Sequence, residues 1–343
     1  MATYSTLKGF TIQSLASDPV SSPMGAGTWA SGGNLNQARN ASTSFGTQTA
    51  AVDLGGNIGG DGPYIALVEE YDGTSWTEVT NYPTEISGGG SCGTLTAGLV
   101  FGGTATPPSP YFTACNEYDG TNWTAGGALS TARNNMATAG TQTAGLAAFG
   151  GAYPVAYNVV EEYNGTAWAT VTAGSNTGPA RAGIGIQTSA LAAGGNLPGV
   201  SNLVESYDGT NWSTAPTLST ARTEMGGGGA TNTAGLVFAG NEPPVSTKTE
   251  AFDGTSWTEV ADLANAGYGR QGLSNTTNTS QLATGGGDPA YLAYTEEWSV
   301  PSTVTIVQEG QVWYNTTSNV LKGFGKQGAS SWASGGNMNE GRP

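Results

Sequence analysis

The chain has 343 residues, of which 55 are glycine, and only 10% are charged, with 10 basic side chains against 25 acidic ones. The formal charge of −15 argues against nucleic acid as a main partner and favours solubility through long-range repulsion. Histidine is absent and the two cysteines, Cys92 and Cys115, show no metal-ligand spacing, which excludes zinc sites built on histidine or clustered thiolates.

At the N-terminus, MATYSTLKGF has neither the basic start nor the apolar run of a secretory signal, and no stretch reaches the apolar length that spans a bilayer. The expectation is a chain made in the cytoplasm, without membrane insertion. Residues 1–24 read as an N-terminal arm. The segment Gly25 to Gly33, GAGTWASGG, follows as a single strand carrying Trp29 and lacking partners of its own.

A repeat then begins. The turn Asp/Asn-Gly-Thr-x-Trp occurs at Asp72 to Trp76, Asp119 to Trp123, Asn164 to Trp168, Asp208 to Trp212 and Asp253 to Trp257. With Trp29, this gives a period of about 45 residues, the length of a four-stranded propeller blade. Apolar runs closing at Gly56, Gly103, Gly151, Gly195, Gly240 and Gly286 keep the same beat, as do acidic stretches closing at Tyr71, Tyr118, Tyr163, Tyr207, Phe252 and Trp298. Asp-Gly and Asn-Gly both tolerate positive φ and so predict tight hairpins. Apolar runs such as Ala97 to Phe101 suit strands covered on both faces. On this reading Cys92 and Cys115 lie on next-but-one strands, about 9 to 10 Å apart, too far for a disulfide.

In the third unit the order is Arg133, Leu146 to Gly151, Glu161-Glu162-Tyr163-Asn164 and Trp168, which resembles the kelch repeat. The resemblance covers roughly residues 25–298 and implies an all-β fold: a six-bladed kelch-like β-propeller with four-stranded blades and terminal arms. The sixth blade is expected to supply strands near Arg270 to Thr276, Asn278 to Gly286 and Tyr291 to Trp298, its fourth coming from a chain terminus. Residues 299–343 form a C-terminal arm. Within it, Gly328 to Asn339 nearly copies Gly25 to Asn36, so Trp29 and Trp332 mark two candidates for ring closure or for strand exchange between copies.

Arg39, Arg133, Arg181, Arg222 and Arg270 each precede the first strand of a blade and are expected on one face near the axis. They read either as an anion or acidic-sugar site or, preferably, as partners of repeat carboxylates such as Glu70, Glu117 and Glu162. Adjacent glutamates, as at Glu69-Glu70, point to opposite faces of a strand and do not converge on one substrate. Copper-radical oxidases, an enzymatic use of kelch propellers, hold their metal with histidine and tyrosine, so the resemblance carries no such activity here. The turn is also similar to the sialidase Asp box, which is structural and departs from it in spacing. No cofactor is expected; calcium at the Asp72 or Asp253 turns stays open, without EF-hand spacing.

Finally, Glu309 to Phe324, EGQVWYNTTSNVLKGF, resembles a segment of virion proteins of tailed bacteriophages, particularly those of marine bacteria, and Ser14 to Pro23 resembles its usual lead-in. This resemblance implies a non-enzymatic virion structural protein exposed on tail or capsid. Its partners would be other virion proteins, copies of itself, or a host-surface glycan. The alternatives are an extracellular or cell-surface bacterial protein that polymerises by strand exchange and, more weakly, a polysaccharide-acting enzyme.

Overall fold

The computed structural model describes residues 12–15, 22–60, 62–106, 111–197, 199–274, 276–302 and 311–323. The chain divides into two compact units, one of Gly27–Ser299 and one containing both terminal segments. The two arms belong to one unit. In it, Gln13–Leu15 pairs parallel with Val312–Asn315, which forms a hairpin with Val320–Gly323.

The larger unit is a β-propeller. Its first sheet is an antiparallel meander of Thr43–Thr47, Ala50–Leu54, Val68–Tyr71 and Trp76–Glu78. Four more four-stranded sheets repeat this order, starting at Gly90–Thr94, Ala137–Thr141, Ala182–Ile186 and Gly226–Thr231. These first strands lie side by side in sequence order around the axis. They are rich in Gly, Ala, Ser and Thr because the backbones meet there closely, as where Gly183 abuts the Thr138 backbone. The second strands, such as Ala97–Phe101, are buried on both faces between neighbouring blades.

A sixth sheet closes the ring. Thr28–Ser31, from the N-terminal side, pairs antiparallel with Thr295–Ser299, and Ser280–Thr284 lies on the latter's other edge. The structure thus assigns closure to the strand of Trp29; Trp332 lies outside the described residues. Trp29 sits opposite Trp298 and edge-on to Phe238 of the fifth blade. The expected first strand at Arg270 to Thr276 is reduced to one bridge, Gln271 with Thr284. Its ladder is displaced by a side chain: the buried Gln281 amide bonds both the N–H and the carbonyl of Leu273, each at 3.3 Å. The neighbouring Ser274 carbonyl accepts from Gly185 N–H of the fourth blade at 2.7 Å.

The turns differ in one respect from expectation. Only the glycine takes positive φ, 89° at Gly73, while Asp72 accepts the N–H groups of Thr74 and Ser75 at 2.8 Å each. The carboxylate caps the turn, and those bonds hold its pKa below the usual range. Each turn tryptophan lies on the aromatic ring that ends the preceding strand, as in Tyr118–Trp123 with centroids 4.5 Å apart. Trp168 and Trp212 also meet Phe101 and Phe149 of the blade before. Such aromatic pairs contribute about 0.5–1.5 kcal/mol beyond their buried area.

Candidate functional site

Polar side chains within the ring form three sets. The first is ionic and buried. Arg133 pairs with Glu161 at 2.5 Å, Arg181 with Glu205 at 2.5 Å, Arg222 with Glu250 at 2.6 Å, Arg270 with Glu296 at 2.7 Å, and Arg39 with Glu69. All five arginines are buried. They therefore present no cationic face, and an anion would have to displace a buried glutamate from each. Their partners are also one residue away from those expected. The second blade replaces both members at once, with Ile86 for the arginine and Asn116 for the glutamate, and Asn116 bonds Tyr82 Oη at 2.7 Å instead.

The glutamates expected to hold the arginines join the blades. Tyr118 Oη donates to Glu70 at 2.7 Å, Tyr163 to Glu117 at 2.7 Å, Tyr207 to Glu162 at 2.9 Å and Tyr71 to Glu297 at 2.5 Å. Each bond crosses to the preceding blade, because successive strand residues face opposite sides of a sheet. Amides in the first hairpins add a second staple: Gln142 Nε2 donates to the carbonyls of Gly98 and Tyr118, and Gln187 Nε2 to those of Gly145 and Tyr163.

At the axis, one residue per blade occupies the left-handed region: Ala41 (φ 48°), Gly88 (60°), Asn135 (51°), Ala180 (61°), Glu224 (56°) and Gly269 (64°). Backbone hydrogen bonds of 2.8–3.1 Å link them in series, from Gly88 N–H to Ala41 carbonyl through to Gly269 N–H on Glu224 carbonyl. The arginine is two residues before this position in blades one, three and five, but directly after it in blades four and six. The five arginines therefore do not hold equivalent positions, and Arg181 and Arg270 are the two that reach the axis. Arg181 also lies over the Phe149 ring, 4.2 Å from its centroid.

Above the linked residues is a cavity of about 320 Å³ walled by all six blades. Amides dominate its wall, with Asn40, Asn57, Asn134 and Asn135, beside Tyr64, Tyr268 and a single carboxylate, Glu224. Solvent reaches Glu224 through the mouth, yet desolvation by the surrounding protein raises its pKa. A non-glycine residue in this backbone region costs about 1–2 kcal/mol. Sequence reasoning missed Glu224 because it belongs to no motif. Aligning the repeats on their crossovers would have exposed it, since the equivalent residues are Ala, Gly or Asn.

No family model matches the sequence, and no curated protein does. The solved structure of YjhT is similar to this chain with a TM-score of 0.65 and 11% sequence identity, over 80% of this chain and 99% of YjhT. At that identity the likeness concerns the fold, and it supports the propeller. Similarity extends to 276 chains of solved structures, so the scaffold is widespread and selects no activity by itself.

Other chemistry expected from single residues is occupied. Cys92 and Cys115 are both free and buried, and burial pushes Cys115 up to about 12 and Cys92 further in the same direction, which keeps both as unreactive thiols. Among the described residues, no three His, Cys, Asp or Glu side chains gather as metal ligands, and the turn carboxylates of Asp72 and Asp253 are used by backbone amides. No helix is long and apolar enough to cross a membrane, a search confined to the described residues.

Proposed function

We propose that this chain is a non-enzymatic structural protein of a tailed-phage particle, carrying its propeller outward for contact with a host surface. One observation carries the reading: the segment resembling virion proteins does not extend the ring. Its described part, Val312–Asn315 and Val320–Gly323, forms a sheet with Gln13–Leu15 in a unit separate from the propeller. Segments from both arms thus supply one module, which serves for attachment in this reading, with the loop face of the ring as the surface that meets a partner. Loop tips on that face carry tyrosines, including Tyr153 at 90% exposure. Glu224 stands in the cavity wall without histidine or a second carboxylate, so an acid–base pair is not assembled there, which supports a binding role.

Strand exchange would require displacing a strand already in place. Thr28–Ser31 fills the sixth blade, where Gly27 lies against the Trp298 ring so closely that a Cβ would overlap it. The C-terminal copy carries Ser330 at the matching position. Immunogold labelling of intact particles with antibodies against residues 27–299 tests the virion reading. Regular labelling at tail or capsid is expected, and recovery of the chain only from the soluble cell fraction would overturn it.

A further inference from the structure

We propose that Asn164 is a self-modifying position: in the folded turn its side-chain amide is attacked by the backbone nitrogen of Gly165, loses ammonia and is hydrolysed to aspartate. Asn164 and Gly165 form the only Asn-Gly pair in the sequence. The four turns that match theirs in other repeats carry aspartate instead, at Asp72, Asp119, Asp208 and Asp253. The product of the reaction is therefore a residue that this turn already accommodates in four other blades.

Three features of the turn suit ring closure. First, Asn164 Oδ1 accepts the N–H groups of Thr166 at 3.0 Å and Ala167 at 2.9 Å. Attack at Cγ moves negative charge onto that oxygen, where both donors are already in place to stabilise it. Second, Asn164 is exposed and its Nδ2 makes no hydrogen bond among the described residues, so nothing in the chain retains the leaving group. Third, Gly165 N–H has no acceptor among the described residues, so closing the five-membered ring breaks no hydrogen bond of the hairpin. Glycine also brings no side chain to crowd the attacking nitrogen.

Water is the only co-reactant. A solvent base takes the Gly165 amide proton, the N–Cγ bond forms, and the Cγ–Nδ2 bond breaks as Nδ2 leaves with a proton from water as ammonia. Water then opens the succinimide. Addition at Cγ breaks the new N–Cγ bond, returns a proton to Gly165 nitrogen and leaves aspartate in a backbone of unchanged length. Addition at the backbone carbonyl of residue 164 gives isoaspartate instead, which lengthens the main chain by one methylene. That extra atom falls between Tyr163 and Trp168, a directly opposed pair, and disturbs the bond from Asn164 N–H to the Ala167 carbonyl at 3.2 Å. The fold thus favours aspartate, which restores the cap in charge-assisted form. In the four aspartate turns the corresponding bonds measure 2.7–2.9 Å and hold the carboxylates below their ordinary pKa.

The test is timed peptide mapping by mass spectrometry on the folded full chain, held in mildly alkaline buffer below its unfolding temperature. The mass change of amide to acid is expected at Asn164, together with new cleavage before residue 164 by an endoprotease that cuts at aspartate but not at isoaspartate. The rate should rise about tenfold per pH unit, as the deprotonated fraction of the Gly165 amide does. Asn122 and Asn211 are exposed in the equivalent turns but precede tryptophan, and as internal controls they should stay amidated. The aged protein should move on isoelectric focusing by one negative charge and match Asn164→Asp in both charge and Tm. Asn164→Gln, whose longer side chain cannot close a five-membered ring, should show no such shift over the same time. An amide that persists at Asn164 in the folded chain, conversion only after unfolding in urea, or isoaspartate as the main product would overturn the proposal.

Discussion

Tyr118 donates its phenolic hydrogen to Glu70 of the preceding blade at 2.7 Å, and the same clasp recurs at three other seams of the ring. At the remaining two seams both partners change together. Phe252 follows a blade with Ser206 in place of the glutamate, and Trp298 follows one with Ala251. Tyr118→Phe is therefore expected to lower stability by about 1–3 kcal/mol in urea unfolding, because Glu70 loses a hydrogen bond to its charge. Adding Glu70→Ser, which copies the Ser206–Phe252 seam, should recover part of that loss, and a double-mutant cycle with no coupling would refute the clasp.

The clasps set a limit at high pH. Desolvation first, and then the hydrogen bond to Glu297, push Tyr71 up to about 12; Tyr118, Tyr163 and Tyr207 move the same way beside their own glutamates. In the unfolded chain tyrosine ionises near pH 10. A raised folded value means that the protonated phenol is favoured by folding. The resulting stability is complete below about pH 10 and disappears as pH climbs through about 12. Urea midpoints measured across this window should fall steeply, and less so in a variant with Tyr71, Tyr118, Tyr163 and Tyr207 all changed to Phe.

The buried ion pairs make a stronger demand. Arg133→Met leaves Glu161 charged and unpaired at zero exposure, with an expected cost of about 3–5 kcal/mol in equilibrium unfolding. The double change Arg133→Ile with Glu161→Asn imitates Ile86 and Asn116 of the second blade and should unfold at a higher urea concentration than the single variant. If the two variants behave alike, the charge left behind is not the cause.

Ring closure depends on the space at Gly27. Gly27→Ser, which reproduces Ser330 of the C-terminal copy, forces the Trp298 ring to shift and should destabilise the protein by about 1–3 kcal/mol. Early loss of the Trp29 and Trp298 fluorescence signal, ahead of the global transition, would report local opening of the sixth blade.

Repetition made the propeller legible, down to the Trp29 strand as one of two that could complete the sixth blade. The ion pairs were legible only in kind. Glu69 and Glu70 are neighbours on one strand, and a step of one residue reverses the face of a sheet. Periodicity alone could not say which of them meets Arg39 and which meets Tyr118. Paired replacements within the chain did hold that information: Ile86 with Asn116 marks one contact, and Phe252 with Ser206 the other. The irregular start of the sixth blade had no such mark, since it arises from the Gln281 side chain occupying the ladder of Leu273.

From the sequence by itself came the period, the strand order, the positions of the tight turns and the exclusion of histidine-based chemistry, because each is a property of residue type and local spacing. Tertiary structure decided which of two terminal strands completes the ring, which glutamate neutralises each arginine, and that Glu224 and Asn40 stand together at the axis. Those outcomes depend on which face a strand presents and on distances between residues as far apart in the chain as Asn40 and Glu224, and a linear pattern carries neither.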